Sequence, residues 1–318
     1  MALLLGAISI GIAFLYGCVG EILTEKSGHL NLGIPGIMSF GAAGGCAAVS
    51  VCMSWFPEPN AFTGCLLVLF SLILSALFAA TLGGLYSFLT VSLRCNQNVT
   101  GLSITTFGIG VTMFLMEGVV DRSAFAKASK IFTASLPFAE NLGWFGELFF
   151  SHGVMTYLAI AIAIVASWVL KHTRIGLNLR AVGENPATAD AAGINVTAYK
   201  YGATCIGSAI AGLGGLYYIM DNLNGSWEYG IEAIGWLAIA LVIFTMWRPN
   251  WSILGSFLFG VLYILAEFIT GVSFSQKELF KLLPYVVTII VLIITSVLDS
   301  KENQPPAALG LPYFREER

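Results

Sequence analysis

Long apolar runs, broken by short polar stretches, recur along the whole chain. The candidate runs are 2–23, 32–56, 61–93, 99–116, 154–170, 201–220, 233–247, 251–266 and 282–298. A helix needs about 20 largely apolar residues to cross a bilayer core. Inside lipid only helices or closed barrels satisfy the backbone, and these runs lack the alternation of barrel strands. The pattern predicts an all-α, polytopic transmembrane bundle of about nine spans, with eight or ten as the neighbouring counts. The third run is long enough for a tilted helix with a break at Gly83 and Gly84. The seventh and eighth are short and have to extend into flanking polar residues.

Composition agrees with the pattern. Of 318 residues, 57% are hydrophobic and 10% charged, and mean hydropathy is +0.83, too little polar surface to coat a water-soluble globule. The net charge of −3 comes without the basic stripe that nucleic-acid binding requires, so no nucleic-acid partner is expected. The first run lacks the basic flank of a cleavable signal and is expected to be a first span. Basic residues in short loops stay in the cytoplasm. With the N-terminus out and the C-terminus in, Lys26, Arg94, Lys171, Arg174, Arg180, Lys200, Arg248, Lys301, Arg315 and Arg318 lie inside. Only Arg122, Lys127, Lys130, Lys277 and Lys281 then lie outside. The expected organisation is one transmembrane domain over 1–300 and a cytoplasmic tail over 301–318.

The chemistry for catalysis is missing from the pattern. Cys18, Cys46, Cys52, Cys65, Cys95 and Cys205 fall mostly inside apolar runs, without a C-x-x-C pair or a histidine placed to complete a metal site, and read as small apolar fillers. No metal site, catalytic residue or cofactor is expected. Small-x-x-x-small pairs let helix backbones approach in lipid; they occur at Gly41 and Gly45, Ala80 and Gly84, Ser208 and Gly212, Ala211 and Gly215, and Ser256 and Gly260.

The longest polar stretch on the expected inner side is the loop 172–199. Its segment 181–196 reads AVGENPATADAAGINV and carries full helix punctuation. Asn185 can cap a first turn, Pro186 suits the first helical position, and Gly193 supplies a left-handed stop. The product is a helix of about two turns, too short to be stable alone in water. It either folds back on the bundle as an ordinary loop helix or is gripped by a partner.

At this segment the chain resembles a known family. AVGENPATADAAGI, with Tyr199, Lys200, Tyr201 and the small-residue run 208–215, looks like the coupling loop of the permeases of nucleoside ABC importers, within the larger simple-sugar group. The stretch 20–41, GEILTEKSGHLNLGIPGIMSFG, is similar to the family's signature after its first helix. The stretch 226–249 resembles its later crossing ending in W-x-P, and 306–316, PAALGLPYFRE, resembles the tail of the shorter of two paired permeases. One departure is Pro35, where many relatives carry glutamate after N-L-G-I.

The resemblance implies a permease in a bacterial cell membrane that works with a cytoplasmic ATPase subunit, a second related permease and a lipid-anchored extracellular substrate-binding protein. The residues implied to couple to the ATPase are Gly183, Glu184, Asn185, Pro186, Ala187, Asp190, Ala191 and Gly193. The chain has no G-x-x-x-x-G-K-[ST] phosphate loop, so the expected ATP hydrolysis belongs to a separate subunit and the chain itself is not an enzyme. Nucleosides are the leading small-molecule substrate, with simple sugars or branched-chain amino acids as alternatives within the architecture. A stand-alone ion-coupled carrier or channel is the alternative of a different class.

Polar residues near the expected span ends, Asn31, Asn98, Thr100, Ser103 and Thr105, could line the substrate path or serve as polar glue between helices. Glu21, Glu117, Glu232 and Glu267 are expected to reach the interface or a loop backbone. Trp144, Phe145, Trp227, Tyr229 and Trp236 are expected as an outer aromatic belt. The main outer loop, 121–152, carries an apolar patch at 142–150 that suggests a gate helix.

Overall fold

The computed structural model describes residues 1–135, 143–269, 271, 273–298 and 304–314. Lys301, Arg315, Glu316, Arg318 and Leu142, which enter the expectations above, lie outside the described residues. All regular structure among the described residues is helical. The long helices are α1 (Ala2–Glu25), α2 (Ile34–Trp55), α3 (Ala61–Ser87), α4 (Gln97–Gly118), α7 (Val154–His172), α10 (Val196–Tyr217) and α12 (Pro249–Phe268). Between them lie α5 (Phe125–Phe132), α6 (Gly143–Phe150), α8 (Arg174–Glu184), α9 (Pro186–Ala191), α11 (Ile231–Phe244), α13 (Phe274–Phe280) and α14 (Leu283–Leu298).

Seven helices are long and apolar enough to cross a membrane among the described residues. The two other expected crossings correspond to α11, of 14 residues, and α14, of 16. At 1.5 Å per residue these reach only about 21 and 24 Å. The eighth expected crossing does extend at both ends, to the 20 residues of α12. The break expected at Gly83 and Gly84 falls later: α3 runs through both glycines and loosens into a π turn at Phe88–Ser92. The reason is packing, since an added Cβ at Gly83 would meet Ser208 of α10, so this glycine serves a helix contact and not a kink.

The centre of the bundle is the trio α1, α2 and α10, with α3 against α2 and α10, α12 against α1, and α4 against α2. Lipid supplies no hydrophobic drive between helices, so close backbone packing holds them. An added Cβ at Gly20 would meet Gly207, at Gly41 Gly212, at Gly11 Ser256 and at Gly260 Ala7. Four of the five small-x-x-x-small pairs thus sit at crossings. Ala80 and Gly84 do not, for Gly84 has only the Cys205 sulfur at 3.8 Å. Pro35 occupies the first turn of α2 and is itself a packing residue, with Gly235 of α11 seated against it.

Large apolar side chains cover the outside. Phe62 and Leu77 of α3, Phe114 of α4, Trp168 of α7 and Val297 of α14 are all exposed, as a lipid-facing or partner-facing surface requires. Cys18, Cys46 and Cys52 are buried fillers, whereas Cys65 and Cys95 are exposed.

Contacts sort the loops into two ends. At one end the 26–33 loop, Arg94, α8, α9, Trp247 and the tail 304–314 meet. At the other, Lys127 at the start of α5 pairs with Glu58 at 3.5 Å, and the Tyr229 hydroxyl donates to Glu117 at 2.6 Å. A second π turn, Tyr218–Asn222, closes α10 there and lets Asn222 donate to the Ser9 hydroxyl at 2.8 Å.

Candidate functional site

The projecting element is built by local chemistry. Only Thr173 separates α7 from α8, and its hydroxyl caps α8 by accepting from the Gly176 N–H at 3.1 Å. The carbonyl of Asn185 receives the Ala189 N–H at 3.0 Å while its side chain accepts from Thr188 at 3.0 Å, so one residue ends α8 and starts α9. Pro186 takes the first helical position. At the far end the N–H of Ile194 reaches the Ala189 carbonyl and that of Gly193 the Asp190 carbonyl, both at 3.0 Å. This is a Schellman stop, and Gly193 provides its left-handed residue at φ +83°.

Packing fixes one face and leaves another free. Val182, Ala189 and Val196 form a small buried cluster with Ile194, Tyr199 and Tyr313 against it. Glu184, Asn185, Thr188, Ala191, Ala192 and Gly193 are exposed, and Pro186, Ala187 and Asp190 half-buried. The exposed tip is a surface that a second protein can grip. Gly183 differs from the other residues implied to couple: it is buried, and a Cβ there would meet the Lys26 carbonyl. It lets α8 lie on the 26–33 loop.

That loop is unusually polar for a buried segment. Asn31 donates its N–H to Glu21 at 3.0 Å, and its side chain accepts from the Gly33 N–H at 2.9 Å. The Leu30 N–H is held by Gln97 at 2.8 Å and its carbonyl by the Tyr86 hydroxyl at 2.7 Å. Burial lowers the pKa of Lys26, opposed by the nearby Glu184 carboxylate. His29, 3.3 Å from the Thr204 hydroxyl, is pushed well below the usual histidine range by burial and then by the Lys200 charge, so it is neutral. Glu21 does reach a loop backbone; Glu117, Glu232 and Glu267 lie at the opposite ends of their helices from this loop.

Two features of this end were missed by sequence reasoning. Glu25 is buried and accepts from the indole N–H of Trp247, joining α1 to the end of α11. Its i, i+4 spacing from Glu21 was the available signal. The second is the attachment of the tail. The Ala308 N–H donates to the Gly183 carbonyl at 3.0 Å, Ala307 to Glu184 at 3.3 Å, and Gly310 to the Gly28 carbonyl at 3.2 Å. Gln97 donates to the Leu311 carbonyl at 3.4 Å, and the Tyr313 hydroxyl to Asp190 at 2.8 Å. Arg94 lies 4.8 Å over the Phe314 ring. Beside these contacts opens a polar cleft of about 490 Å³, bordered by Arg94, Asp190, Asn195, Thr197, Lys200 and Tyr313.

The five polar path candidates do not share one surface. Thr100 and Thr105 are buried, with the Thr105 hydroxyl donating to the Leu32 carbonyl of the 26–33 loop at 2.8 Å. Asn31 is buried in that loop. Asn98, at the start of α4, and Ser103, on the side of α4 away from Thr105, are exposed. The aromatics divide as well: Trp144 and Phe145 belong to α6, whereas Trp227 and Tyr229 border a small cavity of about 40 Å³ between α2, α4 and α11.

Comparison with known proteins places this geometry in context. The family model described as branched-chain amino acid transport system / permease component matches residues 2–292. The chain is 31% identical to the nucleoside ABC transporter permease protein NupC of Lactococcus lactis, over 95% of this chain and 93% of that protein. It is 30% identical to the guanosine ABC transporter permease protein NupQ of Bacillus subtilis, over 94% of this chain and 92% of NupQ. It is 32% identical to the putative glucose ABC transporter permease protein TsgC13 of Haloferax volcanii, over 77% of this chain and 70% of that one.

Proposed function

The chain belongs to the family of permease components of branched-chain amino acid transport systems, and from that premise we propose that it is the membrane-spanning subunit of an ATP-driven nucleoside importer. It is a multi-pass protein of the cell membrane. The observation that carries the reading is the projection α8–α9, capped at both ends, anchored on one face and exposed at its tip. Similarity along nearly the full length to NupC and NupQ supports nucleosides as the substrate class. The similarity to TsgC13 favours a simple sugar as the second reading.

The chain crosses the membrane nine times, with α11 and α14 as the short crossings and the N-terminus outside. The gathering of Lys26, Arg94, Arg174, Arg180 and the tail at one end supports this orientation. That end is cytoplasmic, and there Glu184, Asn185, Pro186, Ala187, Asp190, Ala191 and Gly193 present α9 to a separate ATPase, which hydrolyses the ATP. Gly183 seats the projection on the 26–33 loop. ATP-driven movement of α9 biases a bistable bundle between inward and outward exposure of its path. The exposed face of α4, with Ser103, faces a second related permease, and the path runs between the two. A lipid-anchored binding protein delivers substrate at the opposite end, near α5 and α6.

The test is uptake of labelled guanosine and labelled glucose by cells with and without the chain. Loss of guanosine uptake alone supports the reading; loss of glucose uptake alone replaces it with the sugar reading.

A further inference from the structure

We propose that the tail 304–314 is a working part of the motor-docking platform, clamping α8 and α9 in their docking orientation and lying alongside the bound ATPase. The proposal rests on the reading of α9 as the coupling helix and adds a second, distant piece of chain to it.

The tail is not held as a core segment is. Of its residues only Pro306 and Ala308 are buried, while Leu311 and Pro312 are exposed and Tyr313 and Phe314 half-buried. Leu309 packs against the bundle core and Tyr313 against the Val182, Ala189 and Val196 cluster, and directed contacts fix where the tail lies. Those contacts fall on the two bodies that a motor stroke would move against each other. Ala307, Ala308 and Tyr313 bind the projection at Glu184, Gly183 and Asp190. Gly310, Leu311 and Phe314 bind the bundle at Gly28, Gln97 and Arg94. Gln97 in turn holds the Leu30 N–H, so the tail ties α9 to the loop that joins α1 to α2.

The site is also arranged at a cost. Arg94 sits in the left-handed region at φ +58°, unfavourable for a residue with a Cβ, and this position carries its guanidinium over Phe314. Tyr313 lines the polar cleft between α9 and the start of α10 together with Arg94 and Lys200. A cleft walled by two cations, a carboxylate and a phenol hydroxyl suits a charged, hydrogen-bonding protein segment. It lies directly beside the exposed tip of α9.

The experiment uses the complex of full chain, partner permease and ATPase, with exposed Cys95 replaced by serine. Thr188→Cys on α9 and, separately, Leu311→Cys on the tail are cross-linked to the ATPase. Both are expected to react. Tyr313→Phe, which removes only the hydroxyl held by Asp190, is then expected to lower both uptake and the Thr188→Cys cross-link by about tenfold, the equivalent of one hydrogen bond to a charged group. Truncation at Gln304 is expected to abolish uptake. If Thr188→Cys fails to cross-link in the full chain, the reading of α9 falls and the proposal with it. If Thr188→Cys reacts but Leu311→Cys does not, or Tyr313→Phe transports and cross-links as the parent does, the tail proposal is overturned and the reading of α9 stands. Should the truncated chain fail to accumulate, the Tyr313→Phe and Leu311→Cys results decide the matter.

Discussion

Melting α9 without touching the bundle is the sharpest perturbation the structure offers. Asn185→Ala with Pro186→Gly removes the cap that accepts from Thr188 and frees the residue that fixes the first turn. Loss of the cap costs about 1 kcal/mol, and proline to glycine at a compatible helical position costs about another 1 kcal/mol through added freedom of the unfolded segment. Together, about 2 kcal/mol shifts the local equilibrium by a factor of about 30. Opposing this are the small anchor of Val182, Ala189 and Val196, in which α9 itself contributes a single alanine, and the one hydrogen bond from Tyr313 to Asp190. A six-residue helix with so little burial does not survive such a change. Hydrogen exchange of purified protein is expected to show protection lost at 188–192 and retained in α1, α2 and α10. Uptake is expected to fall at least tenfold at unchanged membrane abundance, with ATP hydrolysis no longer stimulated by substrate. Normal uptake by a variant whose α9 is demonstrably unprotected would refute the lever.

Four further outcomes follow from the packing and the charges. Gly41→Val places a side chain against the Gly212 backbone and is expected to cost about 1–3 kcal/mol. Gly84→Ala, with only Cys205 nearby, should leave the melting temperature in detergent unchanged or raised. Trp247→Phe deprives the buried Glu25 carboxylate of its indole donor and should destabilise the protein by about 1–3 kcal/mol in the same melt. Neutral His29 has a folded pKa below its unfolded value of 6.5, so the unfolded chain binds the extra proton and stability falls as pH drops below 6.5. The loss is at most about 1.4 kcal/mol per pH unit down to the folded pKa, and His29→Gln should flatten the melting curve between pH 7.5 and 5 relative to the parent.

The helical class and the projection were legible because they depend on local pattern. Apolar run length marks a span without knowledge of its neighbours, and Asn185, Pro186 and Gly193 act within a few residues of themselves. What escaped depends on partners far away in sequence. Nothing near Gly83 says that Ser208 will lie against it, so a packing glycine looks like a break in the sequence. Pro35 gave no sign that Gly235 would seat on it. The five polar path candidates were grouped by depth along the chain, yet α4 turns Thr105 and Ser103 to opposite faces. The tail was recognisable as a family feature, but its attachment to Gly183, Gly28 and Asp190 spans more than a hundred residues of sequence and leaves no periodic trace.

The central claim is that solute movement through this bundle is driven from outside the chain, by ATP hydrolysed on a partner. Proteoliposomes containing the chain, its partner permease and its ATPase test it directly, with labelled guanosine and binding protein on the outer side and ATP within. The account predicts accumulation that requires ATP and stops when the ATPase is catalytically dead. Accumulation by the chain alone, driven by an ion gradient in the absence of any ATPase, would contradict it.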